Sequence, residues 1–327
     1  MPSMLTHRVL GDDVLKRLDP SMTVMQSIDQ GFELYSIGTS GPDIFFFYKS
    51  FPWSDSKKAA RVSKYGSLMH QLYTKDMFRV IIKRCKLSKD PLQISYVSGL
   101  MLHWALDHIV HPYVYNRTGH GKEADNTHRA FESQLDRGVI DWKGIDITKF
   151  KPQNVVSYLP DTWYPIWQIY SDVLEKVWGL QLKPEEMEQS VRDFRKMEEI
   201  LFDPSGKKIK MYSRLEGLMG IKGLATSMVI PLKMDPAWNV MNEDHDLWRH
   251  PSTGEEHHES FRELFDQARA SGEELLTAFN EYLENDLPEE HVLDVITGNF
   301  HTGLPVPDDM KYFNLVPTKM PEHLFDK

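Results

Sequence analysis

Cysteine is almost missing from this 327-residue chain: Cys85 stands alone. A single thiol excludes any internal disulfide, so the fold is expected to rest on burial and not on an oxidising compartment. Within FRVIIKRCK, Cys85 reads as a small buried thiol with no neighbouring base to activate it. Positive charge is also short, with 38 Lys and Arg against 48 Asp and Glu and a formal charge of −10. That balance argues against non-specific binding to nucleic acid or to an anionic membrane, and nucleic acid is not expected as a partner. A secretory leader is not visible, because MPSMLTHRVLGDD has neither a basic start nor an apolar run. The longest apolar stretch, Gln93 to Tyr115, is broken by ionisable residues at 103, 107, 108 and 111, which excludes a membrane span. The expectation is a soluble, cytoplasmic protein. Strand-like alternation and internal repeats are lacking as well, so the predicted architecture is all-α.

What is present reads as a series of helices. A short helix covers residues 1–20, and SIGTSGPD at 36–43 is expected to be a Gly- and Pro-rich loop that delivers Asp43. Residues 56–86 form a helical pattern with His70 inside, broken by Ser88-Lys89-Asp90-Pro91 ahead of the central helix. A polar loop follows Pro112, and Asn126 or Thr127 is expected to cap the next helix. Further helices are predicted after Thr162, from Pro184 to Phe202 and from Ser260 to Leu283, the last with a steady 3.6-residue apolar period. The tail from Thr297 is expected to lie along the surface. The division predicted is a metal-binding core over 1–150 and a helical extension over 151–327, or one continuous domain. With 41% hydrophobic residues, this length can bury a large core either way.

The central stretch carries the chemistry. His103, Asp107 and His111 follow one another at intervals of four, which keeps all three on one helical face. Polar groups stacked inside an apolar helix are costly unless something buried compensates them, and a metal ion pairs with imidazole and carboxylate together. His128 and Glu132 repeat the spacing downstream, and His70, Asp43 and His7 lie upstream. A lone His-x-x-x-Asp is usually a plain ion pair, and only the set as a whole argues for metal. Five imidazoles and three carboxylates exceed one tetrahedral site and suit two or three ions. Nitrogen and oxygen donors favour zinc over manganese or iron. His108 is out of phase with this face, His120 is expected to face solvent, and Asp125 is a candidate to orient a ligand. His245, His250, His257 and His258 are spaced irregularly and expected to be exposed. Trp163, Trp167 and Tyr170 read as core, while the aromatics after Asp43 could line a cleft.

In order and spacing, residues 4–135 resemble the bacterial zinc-dependent phospholipases C and, more distantly, the fungal single-strand nucleases. The shared features are the early His7, the isolated Asp43 after Gly-Pro, the helical His70, His103-x-x-x-Asp107, His111, and His128-x-x-x-Glu132. The resemblance implies a helical metallohydrolase of the long, leaderless kind, in which Asp107 bridges two zinc ions. It implies that Asp43, His70 and His103 complete one ion, that His111, His128 and Glu132 hold a second, and that His7 binds a third. Asp43 inherits the candidacy for the base that takes a proton from the attacking water. Secreted members complete the third site with an N-terminal Trp, whereas this chain opens Met-Pro-Ser. The implied function is zinc-dependent phosphoester hydrolysis, on a small phosphodiester or phosphomonoester or on a phospholipid headgroup. The competing readings are a nuclease of the same superfamily and a non-catalytic helical protein with a structural metal cluster.

Overall fold

In the computed structural model, the residues described are 4–50, 55–150, 162–221, 223–307 and 309–317. They form an all-α architecture with one two-residue hairpin, Trp248–Arg249 paired antiparallel to Glu256–His257. The axis of the fold is α6, Pro91–Thr118, against which most of the other helices pack. Asp90 accepts a hydrogen bond from Leu92 N at 2.9 Å and Pro91 opens the first turn, a start signal legible in the sequence. From Gln93 to Asp107 every residue is buried, as expected of a helix that is apolar all round. One side of α6 enters a large core with Leu100, Met101 and Trp104; the other enters a second core with Leu106, Val110 and Val114.

The helices before it are α1 (Met4–Leu15), α2 (Thr23–Gln30), α3 (Phe32–Gly38), α4 (Ser56–Gln71) and α5 (Thr74–Ser88). Those after it are α7 (Asp125–Lys143), α8 (Trp163–Trp178), α9 (Pro184–Leu201), α10 (Lys207–Met219), α11 (Phe261–Glu284) and α12 (Glu290–Leu293). The stretch expected as one helix over 56–86 is two, because Tyr73 takes a left-handed conformation at φ 56° and turns the chain. The loop expected at 36–43 is instead the end of α3 followed by a 3₁₀ helix, Gly41–Phe47. Gly38 and Gly99 explain why: a Cβ on Gly38 would strike the Tyr96 carbonyl oxygen, and one on Gly99 the Tyr35 carbonyl oxygen. The backbones of α3 and α6 touch there, and that tertiary contact outweighs the turn-like composition. Helix α7 begins at Asp125, a residue or two ahead of the expected cap.

Helix α11 keeps its predicted apolar stripe and opens with a capping box, Ser260 N donating to Glu263 Oε2 at 2.8 Å. Its Gly272 lets it lie against Leu102, Val14 and Ala105. Tyr170 is fully buried and its hydroxyl bonds that of Tyr96 at 2.8 Å, while Trp163 and Trp167 pack against the large core as read from their spacing. Cys85 is buried too.

The tail departs most from expectation. Phe300 is fully buried and the turn over residues 298–303 presses on α6. Pro112 lies within α6 and has no N–H for the carbonyl four residues back, that of His108. Gly303 packs over this carbonyl at φ 67°, so close that a Cβ would sit 2.6 Å from the His108 oxygen. Trp104 Nε1 donates to the Gly298 carbonyl at 2.9 Å from the same helix. His250, expected to be exposed, is buried: its Nε2 meets the Thr302 carbonyl at 2.8 Å and braces this turn. His245 and His258 are exposed as expected, and His257 is partly covered by stacking on Trp248 at 4.4 Å.

Candidate metal centre

The close crossing of α3 over α6 sets the site. It brings the Thr39 carbonyl to 3.1 Å from His103 Nδ1 and leads into the 3₁₀ helix that carries Asp43. Helix α4 supplies His70, whose Nδ1 lies 2.7 Å from the Gly66 carbonyl, and α6 supplies His103, Asp107 and His111. The tail turn holds His111 through the Phe300 carbonyl, 2.7 Å from Nδ1. A carbonyl can only accept, so each of these three imidazoles carries its proton on Nδ1 and presents a bare Nε2 inward. Helix α7 contributes His128, with Nδ1 3.4 Å from Thr118 Oγ1, and Glu132. Helix α1 contributes His7, and its first turn is pinned where Thr6 N and Thr6 Oγ1 donate to buried Asp136 at 3.1 and 2.5 Å.

All eight side chains converge and all are buried, with Asp107 and His103 at 0% exposure. They fall into three groups whose ligand atoms lie within 4.8 Å of one another: His7, His103 and Asp107; Asp43, His70 and His103; His111, His128 and Glu132. The two Asp107 oxygens face different partners. Oδ1 lies 3.3 Å from His7 Nε2 and 3.7 Å from His111 Nε2, and Oδ2 lies 3.1 Å from His103 Nε2 and 3.8 Å from His70 Nε2. His70 Nε2 is 3.1 Å from Asp43 Oδ1, and His128 Nε2 is 2.9 Å from Glu132 Oε1.

These contacts test whether a cation fits. With Nδ1 protonated, His70 and His103 each point a lone pair at a carboxylate oxygen about 3 Å away, an arrangement that repels unless a positive charge lies between. Buried atoms without a hydrogen-bond partner include His103 Nε2, His111 Nε2, both Asp107 oxygens and both nitrogens of His7. Divalent cations resolve both features at once, and the set contains only nitrogen and oxygen donors. Without metal, protons must serve instead. Burial works against the charged forms of His103 and His111, yet the surrounding acceptors together outweigh it and raise both above the ordinary histidine value. Asp107 comes first among them, with Asp43 and the Thr39 carbonyl beside His103 and Glu132 beside His111. Asp107 is held well below the usual carboxylate range, the surrounding imidazoles overcoming the effect of burial. His7 is lowered to about 4 by burial and by the neighbouring His103, on which it stacks at 4.2 Å.

A pH dependence follows for the metal-free protein. His7 and His108, both lowered to about 4, keep their protons only in the unfolded chain between there and 6.5, so stability falls as pH drops through that window. His103 and His111, raised, contribute stability that is complete below 6.5 and is lost as pH climbs through their higher values. The chelated protein is therefore expected to show its highest Tm near pH 6.5 and a lower one at pH 5 and at pH 8. Added zinc should raise Tm mainly on the alkaline side, because ligation requires deprotonated imidazoles. Thermal melts with and without zinc across that range check both signs.

Beside the three groups lies a cleft of about 500 Å³ onto which His70, His111 and His128 open, with Phe46, Tyr115 and Arg129 among its walls. Of the described aromatics after Asp43, only Phe46 reaches this cleft; Phe45 and Tyr48 are core, Phe47 closes a smaller cavity of about 50 Å³ beside His7 and Asp43, and Phe51 and Trp53 lie outside the described residues. His120 is exposed at the rim and Asp125 is exposed nearby; no hydrogen bond between Asp125 and a histidine of the site is present. His108 points away, its ring stacked on Trp104 at 3.8 Å and Nδ1 bonded to the Trp104 carbonyl at 2.9 Å. His108→Ala is thus expected to leave metal content intact and cost less than about tenfold in activity, while His103→Ala loses metal. Equal losses in the two variants, measured by elemental analysis and turnover, would contradict this assignment of faces.

Sequence reasoning missed three groups. His301 overhangs the cleft, its ring 5.7 Å from that of His70 and 5.9 Å from that of His111. Burial, then the proximity of those two imidazoles, keeps it well below the ordinary value. Arg129 lines both the cleft and the small cavity. Glu198 of α9 lines the small cavity, and burial followed by the nearby Asp43 charge lifts it to about 7. Arg129 adjoins His128 and could have been found from that alone. His301 and Glu198 reach the site only through tertiary packing.

Comparison with known proteins agrees with this arrangement. No curated protein and no solved structure gives a match. The zinc dependent phospholipase C family matches residues 6–171, a span that contains every residue of the three groups. On that match, which covers half of the chain, the protein belongs to the zinc-dependent phospholipase C family.

Proposed function

We propose that the protein is a zinc-dependent hydrolase of phosphoesters, with two or three ions held by His7, Asp43, His70, His103, Asp107, His111, His128 and Glu132. The observation that carries this reading is the convergence of these buried imidazoles and carboxylates, with His7, His103 Nε2, His111 Nε2 and the Asp107 oxygens lacking hydrogen-bond partners, at the floor of a cleft large enough for a small phosphoester. A closed structural cluster would need no such opening. Zinc bound there supplies Lewis acidity and lowers the pKa of water toward neutrality.

The remaining work falls to the chain's own groups. Asp107 joins the three histidine groups through its two oxygens, which fixes the spacing of whatever they hold. Asp43 is ionised at neutral pH: the His70 contact and the His103 charge outweigh burial and keep it below the usual carboxylate value. Its carboxylate is the candidate to accept the proton from the attacking water. Arg129 and Lys122 face the cleft and offer positive charge to an anionic substrate, while Phe46 and Tyr115 give it an apolar wall. These features support a phosphodiester, phosphomonoester or phospholipid headgroup as substrate.

A panel of chromogenic phosphodiesters and phosphomonoesters, assayed with the zinc-loaded protein, tests the proposal. Zinc-dependent release from at least one class is expected, and Asp43→Asn should lower kcat by about 100-fold or more. No turnover on any phosphoester by fully loaded protein would leave a structural metal core as the better account.

A further inference from the structure

Exposed apolar surface is concentrated in one place. Of the sixteen large hydrophobic side chains exposed among the described residues, seven lie between 211 and 232. Helix α10 buries only Ile209 and Glu216. On a helical wheel those two share one side, while Met211, Leu215 and Leu218 recur at intervals of four and three and occupy the opposite side. Leu218 is 85% exposed and Met219 60%, and they fall in a run of neighbouring exposed apolar residues and not singly. Lys207, Lys210 and Arg214 run along the flank of this stripe, and none of them joins an ion pair among the described residues.

The apolar face is held out by a built clamp. Buried Glu216 accepts from Gly223 N at 2.9 Å, Ala225 N at 2.5 Å, Thr226 N at 3.0 Å and Thr226 Oγ1 at 2.7 Å. These bonds fold residues 223–226 beneath the helix and leave Leu224 facing outward. Asp203 fixes the other end by accepting from Ile209 N at 2.9 Å. Between 207 and 233 the sequence has six Lys and Arg, and Glu216 is its lone acidic residue, spent on the clamp. A chain of net charge −10 therefore concentrates cations around its most apolar exposed surface.

We propose that helix α10 and residues 223–233 dock the protein on an anionic lipid bilayer, the apolar stripe entering the headgroup boundary and the flanking cations meeting lipid phosphates. Charge selects this occupant: two copies of the chain would oppose like charges, whereas an anionic surface complements them. The face also lies close to the metal centre. Ser133 of α7 donates to the Ser227 carbonyl at 2.8 Å, and Leu201 and Met228, on which α10 packs, wall the cavity that His7 and Asp43 close. The negative overall charge hid this in the composition.

The test is flotation of the full, zinc-loaded chain with vesicles of phosphatidylcholine, with and without phosphatidylserine. Binding is expected to require phosphatidylserine, to weaken in high salt, and to fall by about tenfold or more in Leu218→Glu and in Lys210→Glu/Arg214→Glu. Both variants alter exposed side chains, so their Tm and their turnover of a soluble phosphoester should match the parent. Flotation reads no turnover, so a protein that cleaves soluble esters yet never floats overturns the docking face alone. Equal flotation of Leu218→Glu also overturns it, as does a parent dimer that this variant dissociates without any vesicle binding.

Discussion

Asp107→Ala is expected to remove at least one metal ion per chain and to reduce phosphoester hydrolysis by more than the roughly 10–100-fold that follows loss of a partner merely orienting a metal ligand. The reasoning is positional. Asp107 is completely buried and, among the described residues, is the one carboxylate that lies within 4 Å of all four of His7, His70, His103 and His111. Removing it takes away the charge that all four imidazoles share, leaving His70 with Asp43 and His111 with Glu132, and so weakens what makes bringing cations into a low-dielectric site favourable. Asp107→Asn keeps the volume and removes only the charge, so it should lose metal to a similar degree. Neither change opens a large void, but the chelated variants lose the charge that raises His103 and His111, so they should melt below the chelated parent near pH 6.5 and closer to it at pH 8. Elemental analysis, turnover and thermal melts together separate loss of metal from loss of fold. An Asp107→Ala protein with full metal content and activity would remove the bridging role.

The second large effect concerns the crossing that makes the site possible. Gly99→Val is expected to destabilise the protein by about 3 kcal/mol or more, the upper end for overpacking, and to weaken metal retention. The added atoms would meet the Tyr35 carbonyl oxygen and the backbone of Gly38 and Thr39, not a side chain able to move aside. Relief requires α3 to withdraw from α6. That shift carries away the Thr39 carbonyl, which orients His103, and the 3₁₀ helix bearing Asp43. Chemical denaturation and zinc titration of the variant measure both consequences. A Gly99→Val protein as stable as the parent would show that the two backbones are not in contact.

How far the sequence discloses this protein depends on what each signal averages over. His103, Asp107 and His111 are legible because the helical period alone puts residues four apart on one face, and the same holds for His128 and Glu132. The all-α class is legible for the same reason, from apolar stripes such as that of α11. Asp43 was visible as a residue but not in its setting, since Gly38 and Gly41 read as turn composition until the Gly99 contact is known. The tail turn was illegible. Phe300 and His301 lie nearly 190 residues from His111, and the vacancy left by Pro112 that receives Gly303 is a three-dimensional event. His250 was misread because irregular spacing is a guide to exposure only where no other segment packs on top. Net charge misleads in the same manner, because a whole-chain average says little about Lys207, Lys210 and Arg214.

The central claim is that these eight side chains hold a multinuclear metal site, and elemental analysis of the protein purified in chelator-free buffer tests it most directly. Two or three zinc ions per chain is the predicted result. A single tightly held ion would contradict the multinuclear site and favour a structural role, and none even after zinc is added would mean that the buried imidazoles and carboxylates are balanced by protons alone, so that the hydrolase reading falls with the metal.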